Sequence, residues 1–372
     1  MRWGTAAMVA AAVVGAGGAA VLLIGRRASQ GVVRPGRPEP GSAPELRVHD
    51  LAPGGVVITR STSTSLPGRY ALEWPNGGHA VVGEVLATGP QTVTRRLEGV
   101  DGGSLDPGTK VELTPRVLTG DPRSALGIDH TDTIAVGEYG DLPAWYTPGK
   151  RGTWVLLVHG PGADRTQALP VIPTLRALEL PTLTVTYRGD QGAPEPPDGL
   201  SHFGETEWED VEAAIRLALE SGAGRVILYG WSTGATMVLQ AAARSAWRES
   251  IAGLVLDSPV LDWSRTVRRE RALAGVPAAV AELGALAAEG RTGVDLAGFA
   301  RLASGTDLHV PTLLLHSPDD SIAPWSAAAR LADLRGDLVS LHPVPHAEHA
   351  ALWNAAPTPY TETLRRWLTP LL

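Results

Sequence analysis

Arg225-Val226-Ile227-Leu228-Tyr229-Gly230-Trp231-Ser232-Thr233-Gly234 joins an apolar run to a G-x-S-x-G turn, and residues 235–244 continue it as a helical stretch. The serine therefore falls where a strand turns sharply into a helix. The glycines have a physical reason. A serine at the tip of so tight a turn holds a strained backbone, and side chains two residues away on either side would collide with neighbouring backbone. The turn lifts the Ser232 hydroxyl clear of the sheet and aims the Thr233 amide toward a carbonyl under attack. In a chain with 43 glycines the pattern alone carries little weight. The strand before it and the helix after it supply the rest.

Working outward, residues 154–158, 182–187, 253–257, 310–316 and 338–344 are short apolar runs, and helical stretches separate them. This alternation predicts an α/β fold with a doubly wound, mostly parallel sheet over residues 151–372. A helix is expected over 205–221. Glu205, Glu207, Glu209 and Asp210 crowd its start, and they read chiefly as complements to the helix dipole. Residues 262–306 form a mostly helical excursion between two strands, expected to be a lid over Ser232. Residues 46–150 differ: β-like runs such as 55–59, 80–86 and 110–114 alternate with Pro, Gly and Asp turns, predicting a small β-rich region built from hairpins.

The N-terminus carries a different signal. Residues 4–25 hold no charge, with Arg2 before them and Arg26 and Arg27 after. At about 1.5 Å per residue these 22 residues cross a hydrocarbon core of about 30 Å. Residues 1–27 read as a transmembrane anchor, with a cleaved signal peptide as the alternative, and the Pro/Gly/Ser-rich residues 28–45 as a linker. The arginine bias points to a cytoplasmic C-terminal side, though the side of the membrane stays open. The net charge of −7 argues against a nucleic-acid partner. The absence of cysteine excludes disulfides, thiolate metal sites and a cysteine nucleophile.

A serine hydroxyl needs a base to take its proton, and the base needs a third group to orient it. In a sheet of this type the acid and the histidine follow the serine on later strand-end loops. Asp257, Asp319 and Asp320 are the acid candidates, with Asp320 favoured. His342, His346 and His349 are the base candidates, with His349 favoured and His342 expected to pack within the last strand. His159 reads as a structural loop histidine. The pair His346 and His349 lacks the helical H-E-x-x-H order of a zinc site, and Asp129, His130 and Asp132 read as polar residues of a loop, so no metal or other cofactor is expected.

From about residue 153 onward the chain resembles the α/β-hydrolase superfamily, in particular its bacterial serine esterase and acylpeptidase-like members. The matching pieces are His159-Gly160, Gly230-Trp231-Ser232-Thr233-Gly234, the run His316-Ser317-Pro318-Asp319-Asp320-Ser321-Ile322-Ala323-Pro324, and Ala347-Glu348-His349. The resemblance puts the acid on Asp320 and the base on His349, with His346 where the family usually has glycine. It also implies an oxyanion hole made by the Thr233 N–H and the N–H of the residue after His-Gly. That residue is Pro161, which has no N–H. A shifted loop using Gly160 or Gly162 is expected to supply the second donor. The resulting expectation is a membrane-anchored serine hydrolase acting on a small acyl substrate. The alternative is a membrane-tethered binding or scaffolding protein with a weak or dead site.

Overall fold

β9 (Thr153–Val158) is buried along its whole length, as a continuous apolar run in the middle of a sheet must be. It pairs in parallel with β10 (Thr182–Val185) on one side and β11 (Arg225–Trp231) on the other. β12 (Ile251–Asp257), β13 (Thr312–His316) and β14 (Val339–Pro343) extend the sheet in parallel beyond β11. Beyond β10, β8 (Asp141–Thr147) pairs antiparallel, and β7 (Thr131–Val136) forms the edge. The order is β14-β13-β12-β11-β9-β10-β8-β7. Strand side chains alternate between the two faces. Leu156, Val158 and Leu228 therefore join one core, and Val155, Leu157, Ile227 and Tyr229 the other. This computed structural model describes residues 45–273, 277–294 and 299–372. The span expected in 1–27, and the linker apart from Glu45, lie outside them. No helix among the described residues is long and apolar enough to cross a membrane.

The β-rich region ends earlier than expected. Its six strands, β1 (Leu46–Ala52), β2 (Gly55–Thr59), β3 (Tyr70–Trp74), β4 (Gly78–Thr88), β5 (Thr92–Gly102) and β6 (Lys110–Thr114), close into a barrel of order β1-β2-β5-β4-β3-β6. Closure removes both sheet edges, so the unit is complete at Thr114. β7 and β8, placed with this region from the sequence, belong instead to the large sheet. β8 aligns Thr147 with Thr182 and Ala144 with Val185. Short apolar runs between turns look alike in both places, because pattern does not encode the pairing partner.

Arg95 is wholly buried inside the barrel and faces no carboxylate among the described residues. Its guanidinium donates to the carbonyls of Gly83 (2.9 Å), Thr64 (3.0 Å), Leu66 (2.8 Å) and Gly68 (2.7 Å). It thus ties the loop after β2 to the barrel wall. That loop meets the large domain directly: Arg69 N–H donates to the Asn354 carbonyl at 2.9 Å. The Asn354 amide returns two bonds of 2.8 Å, to the carbonyls of Arg69 and Pro115.

The acidic cluster at 205–210 is also corrected. The helix runs Trp208–Glu220, so only Glu209 and Asp210 lie in its first turn. Each carboxylate has a specific partner. Glu207 accepts from the His202 and Gly204 N–H groups, Glu205 binds Gln240 and Arg244, and Asp210 clamps the buried Arg188 with two bonds of 2.8 Å. These are loop anchors more than dipole complements. The excursion 262–306 is helical as expected, with helices Trp263–Leu273, Ala278–Thr292 and Phe299–Ala303.

Replacing Arg95 removes the donor from four carbonyls, two of them in buried bonds (Gly83 and Thr64) and two in part-buried ones (Leu66 and Gly68). Unmet groups of this kind cost about 1–3 kcal/mol each before relaxation. Arg95→Met is expected to lower the melting temperature of the barrel markedly in thermal unfolding followed by circular dichroism. An unchanged transition would show that these carbonyls find other partners.

Candidate active site

β11 ends at Trp231 and the helix Thr233–Arg244 starts two residues later. Ser232 alone makes the turn, at φ 53° and ψ −117°, a conformation rare for a residue with a side chain. Its N–H is held by the Asp257 carbonyl at 2.9 Å. The flanking glycines are required sterically. A Cβ on Gly234 would run into the carbonyls of Val158 and His159, and one on Gly230 into the backbone of Gly234. Gly160 also approaches closely, its hypothetical Cβ 3.0 Å from that of Ser232.

The Ser232 hydroxyl donates to His349 Nε2 at 2.8 Å, and His349 Nδ1–H donates to Asp320 Oδ2, also at 2.8 Å. Asp320 sits on the loop after β13, and His349 on the loop after β14. The other Asp320 oxygen accepts the N–H groups of Ile322 and Ala323, each at 2.8 Å. Burial would raise the Asp320 pKa, but the His349 ring and the bond from His316 more than offset it. The carboxyl is held well below its usual range. Burial likewise opposes charge on His349, and the Asp320 carboxylate outweighs it, so His349 titrates above an ordinary histidine.

His316 was missed from the sequence. It is fully buried and donates through Nε2 to the same Asp320 oxygen at 3.1 Å. Its position four residues before Asp320, at the end of a strand, was the available signal. The other candidates are engaged elsewhere. Asp319 accepts the His346 N–H at 2.8 Å, and the His346 side chain is exposed. His342 lies in β14 against Thr363. Asp257 accepts from Tyr360 at 2.6 Å and Ser258 at 2.9 Å. Burial pushes its pKa up to about 6 despite those bonds. His159 is buried, donates to Asp190 at 2.8 Å and stacks on Tyr187. Asp129 pairs with Arg123, and His130 packs edge-on to Trp145. No group of side chains among the described residues could hold a metal ion.

The expected oxyanion donors separate. The Gly160 N–H donates to Gln167 Oε1 at 2.9 Å and so is already engaged. Gly162 follows Pro161 at φ 72°. Gly162 and Thr233 both line a cavity of about 250 Å³ that reaches Ser232 and His349 beneath the helix Trp263–Leu273. A second cavity, of about 660 Å³, opens on the same two side chains from the barrel side.

A sequence model of the alpha/beta hydrolase family matches residues 155–365, more than half of the chain. The chain belongs to the alpha/beta hydrolase family. The model of a domain of unknown function (DUF8805) matches residues 47–114 of this family member, which is the barrel. No curated protein matches the chain. Among solved structures, the esterase Pf2001 of Pyrococcus furiosus is similar at a TM-score of 0.57 and 17% identity, covering 68% of this chain and 95% of that one. Est1E of Butyrivibrio proteoclasticus with ferulic acid bound is similar at 0.51 and 16%, covering 64% and 98%. Mouse alpha/beta hydrolase domain-containing protein 10 is similar at 0.51 and 16%, covering 66% and 100%. At these identities the likeness is one of fold.

Gly234→Ala forces the turn to move, because the carbonyls it meets are backbone atoms of β9 and the residue after it. We expect a cost of about 2 kcal/mol or more, read as a lowered melting temperature. A variant as stable as the original would show that the turn has slack.

Proposed function

We propose that the chain is a membrane-anchored serine hydrolase that cleaves an ester-like bond (carboxylic ester, thioester or amide) through an acyl-enzyme on Ser232. One observation carries the reading: the unbroken hydrogen-bond chain Ser232–His349–Asp320, set on the strained turn above β11. Ser232 Oγ attacks the carbonyl carbon as His349 Nε2 takes the hydroxyl proton. The carbonyl electron pair moves onto oxygen. As it returns, the bond to the leaving group breaks, and His349 gives that group the proton. Water then attacks the acyl-enzyme with His349 again as base. The acid leaves, and the proton returns to Ser232. Asp320 orients the ring and stabilises the imidazolium.

For the oxyanion we assign the N–H groups of Thr233 and Gly162, since Gly160 is engaged by Gln167 and Pro161 has nothing to donate. With Thr233 as the one donor, the same facts support a second reading, a hydrolase-fold membrane-tethered binding or scaffolding protein with a weak site, because losing one donor costs about 10²–10³ in rate. We assign the helix Trp263–Leu273 as part of a lid: Trp263, Thr266 and Glu270 line the smaller cavity, and Arg269 donates to the Asp320 carbonyl at 3.2 Å. The uncharged residues 4–25 anchor the hydrolase. Fractionation of the full chain should place it in membranes, and removal of residues 1–27 should release it. Full-length chain in the soluble fraction would contradict the anchor.

A fluorophosphonate probe is expected to label the wild type and not Ser232→Ala, and p-nitrophenyl ester turnover should vanish in His349→Ala. No labelling, or equal labelling of Ser232→Ala, would sink the hydrolase reading. Turnover abolished by His349→Ala would sink the binding-module reading. His349 must be neutral to act as base, so kcat/KM should fall as pH drops through a value above the ordinary histidine pKa of about 6.5. Asp320→Asn removes the charge that stabilises the imidazolium. The acid limb should then move to lower pH, and kcat should fall by about 10⁴. An unmoved limb would assign it to another group.

A further inference from the structure

Two cavities meet at Ser232, and they differ in size and in the elements that line them. The smaller, about 250 Å³, lies under the helical excursion and carries ionisable side chains, among them Arg188, Asp190, Glu207 and Glu270. The larger, about 660 Å³, also carries ionisable side chains, among them Glu112, Arg116 and Asp164, and spans two folding units. Leu113, Val117 and Leu118 line it from the end of β6 and the segment leaving the barrel, facing Pro170, Trp231 and Trp353 of the hydrolase domain. That volume lies in the range that encloses a ligand well beyond acetyl in size.

The barrel wall is held in place by bonds across the boundary. Asn354 takes hold of Arg69 and Pro115. Arg116, paired with Glu73 of β3 at 2.8 and 3.0 Å, reaches Asp164 of the loop after His159 at 3.5 Å. Ala351, two residues after His349, packs into the barrel's own core. So residues 112–118 form a fixed wall, tied both to the loop carrying His349 and to the loop carrying Gly162.

Resting on the serine-hydrolase reading, we propose that the barrel builds the acyl-binding half of the active site, and that the 660 Å³ cavity takes an apolar acyl group of medium length or an arylalkanoyl group. The order of events in acyl transfer assigns the two cavities. The acyl group stays covalently on Ser232 while water enters, so its apolar tail must remain buried through the second step. The leaving group departs as an alcohol, thiol or amine after the first step, so the smaller cavity, which need not enclose a long tail, suffices for it.

The test uses p-nitrophenyl esters from acetate to decanoate with the full chain, so the leaving group is constant. Each buried methylene contributes about 0.8 kcal/mol, so kcat/KM should rise by up to about fourfold per methylene as far as octanoate. Val117→Trp and, independently, Leu118→Trp should each lower the octanoate-to-acetate ratio of kcat/KM at least tenfold. In parallel, Ser232→Ala should bind octanamide in calorimetry, and adding Val117→Trp or Leu118→Trp should weaken that binding at least tenfold. Ester turnover with no chain-length preference, or with a ratio that neither tryptophan moves, would overturn the barrel wall and leave the hydrolase standing. Octanamide binding that the tryptophans weaken, with no turnover of any ester, would uphold the wall and overturn the hydrolase. Neither binding nor turnover would overturn both.

Discussion

The segment from His349 to Asn354 is constrained at both ends, and the site depends on that constraint. At one end His349 is gripped between Ser232 and Asp320 by two bonds of 2.8 Å. At the other, Asn354 is bound on three sides by barrel backbone. Between them Ala350 sits at φ 53° and takes a bond from its N–H to Ser258. The two bonds orient the ring toward the serine hydroxyl, as the proposed general base must be oriented. It also means the barrel is mechanically part of the site, although none of its residues belongs to the hydrogen-bonded triad.

Environment divides the buried acids into different roles. Asp320 collects two backbone N–H groups and two histidines and stays ionised. Asp257, one strand away, accepts from two hydroxyls, those of Ser258 and Tyr360, and burial raises it to about 6. It heads a chain through Tyr360 to Tyr229 beneath the sheet. This distinction explains why two aspartates at strand ends are not interchangeable. The one beside a positive ring remains a carboxylate suited to orienting it, and the other is better suited to fixing the ends of β12.

Much of the hydrolase domain was legible because its signals are local. Continuous apolar runs marked the central strands, and a turn that tolerates only glycine at 230 and 234 marked the nucleophile candidate. Asp320 and His349 were legible as strand-end residues in the expected order, and the structure joins Asp320 to His349 and His349 to Ser232 by hydrogen bonds. What was not legible depends on pairing across the chain. β7 and β8 read like barrel strands until it is known that β8 pairs with β10 and β7 with β8. Barrel closure needs β6 to find β1, about sixty residues away. Likewise, nothing local shows that Gln167 takes the Gly160 N–H, or that a buried arginine is satisfied by four carbonyls alone.

We propose that Ser232 carries a covalent acyl group during turnover. Rapid acid quench of the enzyme during turnover of p-nitrophenyl octanoate, followed by peptide mass analysis, reads that species directly. One octanoyl group is expected on the peptide containing Ser232, accumulating further when water attack is slowed. Steady turnover with no acylated peptide, or an acyl group on any other residue, would contradict it.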